Sequence, residues 1–128
     1  MKNTLAAPDF AHLPEDWHLS PVLDTGDFVF FSGVTGCRPD YTVATDPEQQ
    51  FRDAFEFLKA NLAAANMTFS NVVEMTTYHV DLRQHLALFV KVKDAYIGAP
   101  YPAWTAVGVI ELITEGTLVE IRVIARRR

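Results

Sequence analysis

Asp46-Pro47-Glu48-Gln49 opens the segment that most restricts what this chain can fold into. Asp46 can cap a helix, Pro47 suits the first helical position, and Gln49 stands where a capping box places its polar side chain. From there Phe51, Ala54, Phe55, Leu58, Leu62 and Ala65 recur at helical spacing, and Asn66 supplies a stop. One face of this helix must therefore pack against something flat and apolar.

The flanking segments supply strands. Phe28-Val29-Phe30-Phe31 is a short apolar, β-prone run between Gly26-Asp27 and Ser32-Gly33. Gly33, Gly36 and Pro39-Asp40 then mark a loop. Val72 to Leu82 reads as a long strand. A second helical pattern follows in Leu86, Phe89, Val90, Lys93, Tyr96 and Ile97, ended by Gly98 and Pro100. Trp104 to Glu111 and Leu118 to Ala125 close the chain as strands joined through Thr114-Glu115-Gly116. This order predicts an α+β fold, a mixed sheet with two helices on one face. The 128 residues suit a single domain spanning 1–128. In the last strand Val119, Ile121 and Val123 share one face, while Glu120 and Arg122 share the other with Leu118 and Ile124. Two helices cover only one sheet face, so the mixed face calls for a partner.

Composition narrows the function classes. The net charge is −5 and the only basic run is Arg126-Arg127-Arg128. A nucleic-acid binder needs a basic track that displaces counterions, so nucleic acid is not expected as a partner. The single Cys37 excludes an internal disulfide and a thiolate metal cage. His12, His18, His79 and His85 lack metal-ligand spacing, so neither a metal nor another cofactor is expected. No signal-peptide pattern or membrane-length apolar run is present, which points to a cytoplasmic protein.

Five pieces in order give a family resemblance: Phe30-Phe31-Ser32-Gly33, Gln50, Val72-Val73 with Thr77-Tyr78-His79-Val80-Asp81-Leu82, Pro102-Ala103-Trp104-Thr105-Ala106-Val107-Gly108-Val109, and Val119-Glu120-Ile121-Arg122-Val123-Ile124-Ala125. Over about Leu19 to Ala125 the chain resembles the RidA (YjgF) family, whose best-known members hydrolyse reactive imines and enamines. The resemblance implies a chorismate-mutase-like homotrimer with clefts between subunits. It also implies a cleft built from Ser32, Gly33, Trp104, Ala106 and Glu120. In the family the position of Trp104 is typically an arginine that grips a substrate carboxylate. A cysteine is common at Ala106, and a tyrosine at the position closest to Leu19.

Glu120 is the candidate catalytic residue, able to position water or relay a proton. Arg122, two residues on, can pair with it. Ser32 and Gly33 orient substrate through their backbone, and His18 and Leu19 are candidate contacts. Indole offers one neutral N–H and an apolar face in place of a bidentate guanidinium. Trp104 therefore predicts altered specificity towards aromatic, cationic or neutral ligands. The expected function is a RidA-like deaminase acting on an imine, enamine or related small metabolite. The alternatives are a non-catalytic trimer binding a small ligand in its clefts and, behind both, an endoribonuclease.

Overall fold

The computed structural model describes all residues, 1–128. Seven strands and three helices follow the order β1 (Asn3–Leu5), α1 (Leu13–Trp17), β2 (Val22–Asp24), β3 (Phe28–Phe31), β4 (Val34–Thr35), α2 (Pro47–Ala64), β5 (Val72–Val80), α3 (Leu82–Tyr96), β6 (Ala103–Val109) and β7 (Val119–Arg126). Single 3-10 turns at Pro8–Phe10 and Phe69–Asn71 complete it. All strands join one sheet, in the order β1-β2-β3-β7-β5-β6, with β4 extending the pairing of β7. Only β5 and β6 are parallel, joined by α3 as the crossover that parallel strands require.

The α+β expectation holds: the sheet is mixed, and α2 and α3 lie on one face of it. Asp46 caps α2 by accepting from the Gln49 N–H at 3.0 Å, and Asn66 takes a left-handed conformation just past its end. The capping box does not close, because Gln49 Nε2 donates to Asp53 instead. The stripe of α2 is fully buried at Phe51, Ala54, Phe55, Leu58 and Leu62. It packs against Val29 and Phe31 of β3 and Val119, Ile121, Val123 and Ala125 of β7 in one core.

Several boundaries differ from the sequence reading. Leu82 begins α3 rather than ending β5, since Asp81 turns left-handed before it. The loop expected after Gly33 contains β4, pairing Val34 with Ile121 and Thr35 with Glu120. Helix α1 and strands β1 and β2 were not anticipated; their three to five residues are too short to display a period. No helix is long and apolar enough to cross a membrane.

The far face of the sheet is open. It carries Phe28, Phe30 and Val107, each about two-fifths exposed, with Glu120, Arg122 and Ile124 among them. The edge strand β6 is exposed along nearly its whole length.

Candidate functional site

Strands β3 and β4 both pair with β7, but not in one continuous register. Phe30 faces Ile124 and Val34 faces Ile121, so four steps along one chain answer three along the other. The extra residue falls at Ser32-Gly33, a bulge of the kind that re-aims groups beside binding sites. Ser32 is tied down there: its hydroxyl donates to Ser20 O at 2.7 Å and its N–H to Pro21 O at 3.1 Å. Gly33 is required for a different reason. A Cβ at that position would overlap the Glu120 carboxylate, so only glycine lets the acid lie over the backbone.

Glu120 and Arg122 share the open face, as their alternation on β7 requires, but none of the four ion pairs of the chain joins them. The Glu120–Arg122 pair that their spacing allows does not form; the carboxylate folds over Gly33 while Arg122 is exposed. Partial burial without a compensating cation pushes the Glu120 pKa above the usual carboxylate range.

Ser32, Gly33, Leu19 and Glu120 line a common pocket of about 110 Å³. Cys37 lines it too. Several of its other walls were not anticipated, among them Trp17 from α1, Tyr41, which takes a left-handed backbone at φ 68°, and Phe57 and Asn61 from α2. Trp17 Nε1 donates to Tyr41 Oη at 3.1 Å, and Tyr41 Oη donates to Asp16 Oδ2 at 2.9 Å, pinning two aromatic walls together. Of these, Asn61 had a readable signal. It lies three residues after Leu58 on the apolar stripe, where a polar residue is out of place. Tyr41 had none, because a long-range contact brings it in.

Trp104 and Ala106 lie outside this pocket. Trp104 pairs with Met75 in the β5–β6 ladder and turns to the helix side of the sheet. Its Nε1 donates to Thr77 Oγ1 at 2.9 Å, Phe89 packs 6.1 Å away, and Lys93 Nζ sits 5.0 Å above the ring. The Thr77 hydroxyl bonds His79 Nε2 at 2.7 Å. His79 Nδ1, also buried, has no partner. Burial lowers the His79 pKa to about 4, so the ring is neutral. His18 caps the end of α1 in a left-handed conformation and is exposed, outside the pocket lining. No group of three or more His, Cys, Asp or Glu side chains converges as a metal site would require.

The family model for endoribonuclease L-PSP matches residues 12–127. The chain belongs to this family, that of RidA, YjgF and RutC. It is 44% identical over 108 residues to the RutC family protein YjgH of Escherichia coli strain K12, covering 84% of this chain and 81% of that one. A solved structure of a YjgH protein superposes with a TM-score of 0.90 at 37% identity, covering 98% and 95% of the two chains. TdcF of E. coli with bound serine superposes with a TM-score of 0.78 at 29% identity, over 86% and 88%.

Proposed function

We propose that this chain is a RidA-type hydrolase that converts a reactive imine or enamine to a carbonyl compound and ammonia. The observation that carries this reading is Glu120: a carboxylate without a cation, partly buried against Gly33, at the mouth of an apolar pocket. Such an acid can exchange protons nearer neutrality than an exposed glutamate. An enamine reacts as its imine tautomer. Ionised Glu120 takes a proton from water as the water oxygen bonds to the C=N carbon. It then returns that proton to nitrogen, giving a carbinolamine. Glu120 next takes the carbinolamine hydroxyl proton as the C=O bond forms and passes it to nitrogen, and the C–N bond breaks to release ammonia. Gly33 is the assigned backbone donor, because the Ser32 N–H is already committed to Pro21.

The working unit is a homotrimer in this reading. The open face and exposed edge strand β6 of one copy meet another, which carries Trp104 and Ala106 to the rim of the neighbour's pocket. Trp104 cannot offer two parallel bonds to a carboxylate, and its one N–H is engaged by Thr77. This favours substrates other than small amino-acid-derived imines. The serine-bound relative TdcF supports a small-molecule site in this fold. The fixed position of Trp104 also supports a second reading, a trimer that binds a small ligand without turning it over. Ribonuclease action fits the acidic charge poorly.

Ammonia release from freshly generated imines of acidic, small neutral and aromatic type separates these readings. Turnover by wild type that is lost in Glu120→Ala supports the hydrolase. Thermal stabilisation by a metabolite with no ammonia formed moves the assignment to ligand binding.

A further inference from the structure

One residue of the pocket lining carries an unused hydrogen-bond donor. Asn61 is fully buried in the middle of the α2 stripe, yet it lines the pocket. Its Oδ1 accepts from the Ala7 N–H at 3.4 Å, which fixes the orientation of the amide, and its Nδ2 has no partner. A buried amide with an unused N–H is a costly arrangement that the folded chain alone does not explain. Around it stand apolar or aromatic side chains, with Phe57 stacked on Phe10 at 3.6 Å and Trp17 bonded to Tyr41. Lys, Arg and His are all absent from the lining, and the only formal charge there is Glu120.

We infer that this pocket is a specificity subsite in which Asn61 Nδ2 donates to an acceptor oxygen on a neutral or cationic ligand. The ligand body lies against the joined faces of Trp17 and Tyr41, and its nitrogen end lies towards Glu120. A volume of about 110 Å³ admits a group of about six heavy atoms, the size of one small ring. A carboxylate on the ligand finds no cation here and meets the charge of Glu120, so anions are excluded. The subsite deepens the proposed function by naming its substrate class, and it rests on that reading for the orientation towards Glu120. The binding claim itself does not need turnover.

Three probes test it by calorimetry on the full chain: 4-hydroxybenzylamine, its isostere 4-methylbenzylamine, and the anion 4-hydroxybenzoate. Wild type binds the hydroxyl amine several-fold to roughly tenfold more tightly than the methyl amine, the span of one hydrogen bond, and binds the benzoate most weakly. In Asn61→Leu the preference for hydroxyl over methyl disappears. Because Asn61→Leu also removes the acceptor for Ala7, two further measurements do not depend on its folding. The side-chain amide signals of Asn61 in wild type shift on adding 4-hydroxybenzylamine, and Trp17→Ala, at an exposed wall, weakens both amines. An unchanged preference in folded Asn61→Leu, unmoved Asn61 amide signals at saturation, tighter benzoate binding, or no binding of either amine at millimolar concentration overturns the subsite. Amine binding as described together with absent ammonia release would leave the subsite standing and remove the hydrolase reading alone.

Discussion

At the scale of single residues, the site depends on one carboxylate held over one glycine. Burial raises the Glu120 pKa, so the ionised form is disfavoured in the folded state relative to the unfolded one. The sign follows from that: Glu120 favours folding below the ordinary glutamate pKa, and this is lost as pH rises through its raised value. Glu120→Gln therefore melts at a higher temperature than wild type at neutral pH. The two curves converge in acid, a difference read by calorimetry across pH. Gly33→Ala keeps the fold, because the overlapping atoms belong to the end of a flexible side chain, but it displaces the carboxylate. Its ammonia-release rate falls towards that of Glu120→Gln while its melting temperature stays near wild type. His79 acts in the opposite sense. Its pKa of about 4 lies below the unfolded value of about 6.5, so the folded state loses stability as pH falls between the two. His79→Leu removes a stability loss on the order of 3 kcal/mol across that window, measured by urea unfolding at pH 7 and pH 4. The resemblance made Glu120 and Gly33 legible from sequence. Tyr41 and Trp17 stayed hidden because a hydrogen bond across 24 positions, rather than any local pattern, joins them.

At the scale of elements, Gln50 shows how α2 is set relative to β7, the strand that carries Glu120. It is 1% exposed; its Nε2 donates to Ala44 O and Gly116 O, and its Oε1 accepts from the Leu118 N–H two residues before Glu120. Gln50→Leu removes the partner of those three part-buried backbone groups and costs about 1–3 kcal/mol in urea unfolding. It also slows any Glu120-dependent reaction by loosening β7. Thr77→Val similarly orphans Trp104 Nε1 and His79 Nε2, and lowers stability by about 1–3 kcal/mol. Helix α2 was readable because its cap, first-turn proline and apolar stripe agree with one another. The short elements β1, β2 and β4 were not, since tertiary pairing decides them. Trp104 was legible as a substitution but not as a direction: the ladder register, pairing it with Met75, turns it to the helix side.

At the scale of the whole molecule, the alternation on β7 already implied a covered and an uncovered face, and the structure bears this out. Phe28, Phe30 and Val107 on the uncovered face are the expected centre of a subunit interface. Phe30→Glu places a charge there, and sedimentation velocity should show the variant near the 14.4 kDa chain mass and wild type at three times that. A wild-type monomer would remove the assembled cleft from the account. The most direct test of its central claim is the pH dependence of ammonia release from an imine substrate, with wild type and Glu120→Gln side by side. The account predicts that wild-type kcat/KM falls on acidification through a pKa above the ordinary glutamate range. It predicts that the glutamine variant is slower by roughly 10²–10⁴-fold, as for loss of a general base, and lacks that titration. A glutamine variant with the wild-type rate and the wild-type pH profile would contradict it.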